Sequence, residues 1–419
     1  MTRTEFSAWC KTVHLLDGAT GSMLRRAGMP AGVCSETWIL DHPQTLTALQ
    51  RAYLAAGSEI IYAPTFGANR VLLGHHDLQR EVRALNRDLV QLGREAVGTS
   101  ALLAGDMTTT GRPVTPGDDS AYETLLEIYR EQVEALLEAG VDLFAVETMM
   151  GVTECMAAIE AIRSLCETPI LCTLSVYSDG KCYFDGSAEE AAELLPGLGA
   201  DAVGINCSSG PDQMGSVVRM MHRAAGDTPI AAKPNAGLPE RVDGGVVYHC
   251  PPEEFAAYAR AFAAAGVRIF GGCCGTTPAH IAALREALAE IDFAAFPAVG
   301  HDPDVIPCAS EKEARFITPD VDVGETIACT SDLMEDILEA EEEAPQGALK
   351  IAILEEDDLD IFAENQYAVK DALCLFSDVP ELLEKALRLY QGRAFWDGTG
   401  DLDEAFLEEM RVRYGLVLL

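Results

Sequence analysis

Along residues 1–294, short apolar runs end on polar residues and give way to helically spaced segments, repeatedly. His14, Leu15 and Leu16 run into Asp17, and Ile60, Ile61, Tyr62 and Ala63 lead to Thr65. The run 101–105 reaches Asp106, 142–146 reaches Glu147 and 169–174 reaches Ser175. The run 202–205 reaches Asn206 and Cys207, 230–233 leads to Asn235, and 268–270 passes through Gly271 and Gly272 to Cys273 and Cys274. Between two of these, Leu125, Leu126, Tyr129, Val133, Leu136 and Leu137 recur every three or four residues until Gly140, which predicts a helix over 122–140. Apolar runs of this length are strands buried on both faces, and their alternation with helices predicts a parallel sheet. Eight repeats predict a closed (β/α)8 TIM barrel, with a doubly wound open sheet as the alternative. Barrel chemistry collects where the strands end. One mouth should therefore gather Asp17, Thr65, Asp106, Glu147, Asn206, Cys207, Asn235, Cys273 and Cys274.

The pattern changes near residue 295. Pro297, Gly300, Pro303 and Pro307 mark 295–307 as a linker between a barrel (1–294) and a smaller α/β C-terminal domain (308–419). In the latter, 372–376, 392–396 and 415–419 read as strands, and 379–390 and 403–414 as helices. Charge separates the two parts further. Of 67 acidic and 30 basic residues, 30 acids but only 9 bases fall after residue 300. The runs 335–344 and 355–360 read as solvated faces.

A net charge of −37 excludes nucleic acid as a partner, because phosphates would be repelled. No apolar run approaches the ~20 residues that span a bilayer, so no membrane association is expected. Residues 1–11, with Glu5 and Trp9, lack the apolar core of a secretion signal. Thirteen cysteines without the dense spacing of a stapled mini-domain predict free thiols in a reducing compartment, and so a cytoplasmic location.

Three of those cysteines carry the chemistry. Adjacent residues such as Cys273 and Cys274 do not easily meet disulfide geometry. They can share a metal with a third thiolate, and Cys207, two strands away in the predicted barrel, is placed to supply it. Lone cysteines such as Cys155, Cys172 and Cys250 read instead as small buried fillers. Three thiolates with a fourth position open describe a catalytic zinc site. Its formal charge of −1 makes it poor at generating hydroxide. It suits the capture and deprotonation of an incoming thiol, which stays nucleophilic enough to attack an electrophilic carbon. Methyl transfer to a small thiol fits this chemistry. A metal-dependent hydrolase is less well matched, since only 8 histidines are present.

These residues lie in motifs. Asp17-Gly18-Ala19-Thr20-Gly21-Ser22, Gly204-Ile205-Asn206-Cys207, Pro234-Asn235-Ala236-Gly237-Leu238-Pro239 and Gly271-Gly272-Cys273-Cys274-Gly275-Thr276-Thr277-Pro278 resemble the homocysteine S-methyltransferase family. The likeness is strongest to the homocysteine-binding module of cobalamin-dependent methionine synthases, and it covers residues 10–292. It implies a barrel, with Cys207, Cys273 and Cys274 as zinc ligands and catalytic residues. It also implies that the Asp17-Gly18 loop and Glu147 hold the amino-acid part of homocysteine. Asp17 and Glu147 suit an ammonium, and the amides of residues 18–22, Gly18 and Thr20 among them, suit a carboxylate. Thr65, Asn206 and Asn235 complete the expected substrate contacts. Ala63-Pro64-Thr65-Phe66 stands where the family has Thr-Asn-Thr-Phe.

Within this resemblance the expected reaction is methylation of a zinc-bound homocysteine thiolate to methionine. The methyl group is expected from methylcobalamin on a separate corrinoid protein, with S-methylmethionine or another small donor as the alternative. The C-terminal domain is faintly similar to pieces of the pterin-binding barrel that follows in methionine synthases, which suggests a reduced remnant or contact with a pterin-binding methyltransferase. A zinc-holding subunit without catalysis of its own is the competing reading.

Overall fold

A computed structural model describes residues 1–114, 119–242, 245–296, 305–310, 314–343 and 347–419. Eight strands form a parallel sheet: β1 (His14–Leu15), β2 (Ile60–Tyr62), β3 (Leu102–Met107), β4 (Leu143–Met149), β5 (Ile170–Leu174), β6 (Ala202–Asn206), β7 (Ile230–Lys233) and β8 (Val267–Phe270). They are ordered β1-β8-β7-β6-β5-β4-β3-β2. The two ends of that order meet through a parallel bridge between Leu16 and Ile60 and a 2.7 Å bond from Glu59 N–H to Leu15 C=O. The sheet is thus a (β/α)8 barrel, as its eightfold alternation predicts.

Two cores follow from the period of two along each strand. Residues facing out, such as Leu103, Phe144, Val146 and Phe270, pack under the surrounding helices. Residues facing in, among them Leu16, Ile60, Ala104, Ala145, Ala202, Ala231 and Ile269, fill the barrel around Phe6 and Cys10. Phe6 belongs to the first helix, Arg3–Trp9, which plugs the barrel at the end opposite the strand termini. The helix predicted over 122–140 runs from Asp119 to Ala139, and Gly140 ends it with a φ of +81°.

Residues from 305 onward build a second sheet with a core of its own. Its five strands, Thr326–Ala328, Ala348–Ala352, Ala372–Phe376, Phe395–Trp396 and Val417–Leu418, are parallel and lie in chain order. Helices Leu333–Glu343, Glu356–Asn365, Pro380–Leu389 and Glu404–Tyr414 make the crossovers. Right-handed crossovers between sequential neighbours put every helix on one face. The other face is covered by an antiparallel pair, Ile306–Ala309 with Ala314–Ile317, whose Cys308 and Ile317 pack on Ala348, Ala372, Cys374, Phe395 and Val417.

The stretch expected as a linker is therefore partly structured. Phe293–Ala295 is a short 3-10 turn, 297–304 lie outside the described residues, and Ile306 and Pro307 already belong to a strand. The strands Thr326–Ala328 and Ala348–Ala352 were not foreseen, because their apolar runs are short and sit among the acidic stretches. Among the described residues no helix is long and apolar enough to cross a membrane.

Candidate metal and thiol site

The strand ends surround a cavity of about 240 Å³. At its lip stand Cys207, just past β6, and Cys273 and Cys274, past β8; β7 lies between these two strands. Their three sulfurs lie within 4.8 Å of one another, and the Cys207 and Cys274 sulfurs are 3.5 Å apart. Tetrahedral zinc with ~2.3 Å bonds to sulfur separates its ligands by roughly 3.8 Å, so this donor set and spacing fit the ion. All thirteen cysteines are free. Without a metal, the Cys274 thiol is pushed down to about 3 by hydrogen bonds from Cys207 and then Cys273, whereas those to Cys207 and Cys274 push Cys273 well up.

Backbone strain marks the same lip. Cys207 and Thr148 adopt φ values of +58° and +56°, a region most side chains avoid and that costs ~1–3 kcal/mol per residue. Two buried amides brace them. Asn206 accepts from Thr148 N–H at 2.9 Å and donates to Thr148 Oγ1 at 2.7 Å. Asn235 donates to the Cys207 carbonyl at 2.7 Å, and Cys207 N–H reaches the Lys233 carbonyl at 3.2 Å. Asn206 and Asn235, expected as substrate contacts, therefore sit behind the cavity wall and hold its lip.

Thr65 is likewise behind the wall, fully buried. Its hydroxyl donates to the Asp106 carbonyl at 2.8 Å and accepts from Asp106 N–H at 3.1 Å. Asp17, Gly18, Thr20 and Glu147 do line the cavity. Gly18 is required there: a Cβ would lie 2.8 Å from both the Thr276 and Tyr53 hydroxyls. The loop after β1 is laced to the double-cysteine loop by bonds from Gly272 N–H to the Asp17 carbonyl, from Ala19 N–H to Thr276 Oγ1 and from Gly275 N–H to Ser22 Oγ. Thr277 then caps the helix Pro278–Ala289.

The floor contains a residue to which the sequence reading gave no role. Lys233, the last residue of β7, is buried with its ammonium 2.8 Å from Glu147 Oε2, 4.0 Å from Asp17 Oδ1 and 3.6 Å from the centre of the Tyr62 ring. Burial works to lower its pKa, but Glu147, Tyr62 and Asp17 outweigh that and hold it well above the usual lysine value. Asp17, although near Lys233 and bonded to Tyr62 N–H, is pushed up to about 7 by burial. Burial and then Glu147 push Asp106 well above the carboxylate range. A lysine closing an otherwise apolar strand, in a barrel whose mouth is acidic, was the available signal.

The sequence model of the family described as Homocysteine S-methyltransferase matches residues 14–288, from β1 to the helix after β8. Over 293 residues the chain is 30% identical to a methionine synthase of Mycobacterium tuberculosis, a match covering 66% of this chain and 24% of that protein. It is 28% identical over 299 residues to a methionine synthase of Mycobacterium leprae, covering 67% and 25%. The match thus spans about a quarter of the length of these relatives. The homocysteine methyltransferase MmuM of Escherichia coli, in its apo form, superposes with a TM-score of 0.53 at 25% identity, over 66% of this chain and 96% of that one. A family match that runs the length of the barrel and takes in all three lip cysteines shows that the chain belongs to the homocysteine S-methyltransferase family.

Proposed function

We propose that this chain methylates the thiol of homocysteine to give methionine, with zinc held by Cys207, Cys273 and Cys274. The observation that carries the reading is the thiol trio at the lip of a cavity just large enough for a small amino acid. Bound there, zinc would supply an open position that takes the substrate sulfur and favours loss of its proton. The chain's own residues do the rest. The strained backbone at Cys207, braced by Asn235, aims one sulfur at the lip. The loop after β1 presents backbone amides on the way into the helix Gly21–Arg26, and these face the substrate carboxylate. Carboxylates on the floor face its ammonium. The substrate sulfur forms the new bond to the methyl carbon. The bond to the methyl carrier breaks with its electron pair left on the carrier, and the thiol proton passes to solvent.

The donor we favour is methylcobalamin on a separate corrinoid protein, which the likeness to methionine synthases supports. Purified chain given homocysteine with methylcobalamin or with S-methylmethionine decides this point. Methionine formed from S-methylmethionine alone would overturn the donor assignment. For the site itself, Cys273→Ala should lose most of its bound zinc while keeping the circular dichroism of the folded barrel. X-ray absorption of the unsubstituted protein should show an added zinc–sulfur bond when homocysteine is supplied. Full zinc occupancy in Cys273→Ala would remove the basis of the proposal.

A further inference from the structure

The rim of the mouth carries more than the cavity uses. Past β5, residues 175–187 form a tight loop, closed by antiparallel bridges of Val176 with Cys182 and of Lys181 with Ser187. Val176 N–H donates to Ser208 Oγ at 2.8 Å, which fastens this loop beside Cys207. On it Tyr177 and Tyr183 meet edge to face with ring centres 4.4 Å apart, yet they are 54% and 38% exposed. Past β7, Glu240–Val242 and Gly245–Val247 pair as an antiparallel hairpin, exposed at all six positions. Both ends of this hairpin are rooted at the lip. At one end, a Cβ on Gly210, in the Cys207 loop, would lie 3.0 Å from the Gly237 Cα. At the other, a Cβ on Gly275 would lie 2.4 Å from the Tyr248 Cβ, so Tyr248 packs against the double-cysteine loop.

Tyr177, Tyr183, Leu238, Val242, Val246 and Val247 are thus open to solvent on the arc from β5 to β8, where the three thiols stand, and none of them lines the cavity. Among the described residues, the loops after β1 to β4 expose only Val33 and Phe66 in this way. A two-stranded hairpin is marginal alone, and a clustered apolar surface marks a place that is covered in use. A cavity of about 240 Å³ is filled by the amino acid, so the methyl group arrives from outside, across this arc. A small sulfonium donor would leave the arc bare. We propose that the arc is a platform for the broad, flat face of a corrin ring, with Tyr177 and Tyr183 packed against it on one side and the hairpin valines on the other. This rests on the thiol-methyltransferase reading and names the surface that its donor meets. The arc takes the ring itself and not the protein that carries it.

Initial rates of methionine formation from homocysteine and free methylcobalamin, with the zinc-loaded chain, test this. Two double variants are compared with the unsubstituted chain: Tyr177→Ser with Tyr183→Ser, and Val242→Ser with Val246→Ser. All four side chains are exposed, so folding should survive. Each variant should lose about tenfold in kcat/KM for methylcobalamin, through KM rather than kcat, the scale of losing a pair of packed contacts. Homocysteine affinity, read by calorimetry, and zinc content should stay within about twofold, because none of the four borders the thiol cavity. A kcat/KM within about twofold of the unsubstituted value in either variant overturns the proposal. So does a fall in homocysteine affinity that matches the fall in kcat/KM, which would make the arc a wall of the thiol site. If the unsubstituted chain forms methionine from S-methylmethionine but not from methylcobalamin, the donor assignment itself fails and takes this inference with it, before any variant is made.

Discussion

Asp17 shows how a single residue's environment departs from its type. Burial raises its pKa from the usual 3.8 to about 7, more than Lys233 and the Tyr62 amide lower it. The folded state therefore holds a proton that the unfolded chain has released. That contribution to stability is fully present below pH ~4 and is lost as pH rises through 7. Asp17→Asn removes the titration. Urea unfolding at pH 5 and pH 8 should show the native protein losing up to about 3 kcal/mol more than the variant over that interval, since part of the effect already falls below pH 5. An equal pH dependence in both proteins would contradict the burial argument. Cys207 makes a related point. Its type and its place after an apolar run mark it as a ligand candidate, but its left-handed backbone and its dependence on Asn235 are visible only in three dimensions.

At the level of elements, the strands were readable because each is an apolar run with a polar end, and the barrel interior explains the details. Inward positions on neighbouring strands are small: Ala104, Ala145, Ala202 and Ala231. The β6–β7 approach is closer still, since a Cβ on Gly204 would lie 2.0 Å from the Ala231 carbonyl oxygen. Backbone cannot yield as a flexible side chain can. Gly204→Ala should therefore destabilise the protein by about 3 kcal/mol or more, read as a lowered urea midpoint, and should weaken zinc retention because β6 carries Cys207. Strand ends were less legible. Asp106 and Glu147 lie inside β3 and β4 rather than beyond them, because the ladder continues until the cavity opens.

For the whole molecule, the second sheet is fastened to the barrel at a buried contact. Glu193, on the barrel helix Ala188–Gly197, is fully buried and ion-paired with Arg393, which also donates to the Gly415 carbonyl at 2.7 Å. The pairs of Arg388 with Glu123 and Arg413 with Glu160 lie around it and, being partly solvated, add little. Arg393→Ala leaves a buried carboxylate unpaired and should cost about 3–5 kcal/mol in the full chain's thermal unfolding. Zinc binding should stay intact, since neither residue borders the thiol cavity. Loss of zinc in this variant would show that the second sheet supports the site. By itself, the sequence determined the eightfold strand–helix alternation, because burial on both faces leaves a continuous apolar run. It also determined the cysteine trio, because two adjacent thiols and a third on a next-but-one strand have few other uses. Tertiary structure alone decided which carboxylates are already taken. Lys233 reaches Asp17 and Glu147 from strands far apart in the chain, and only their convergence ties both carboxylates to one buried ammonium.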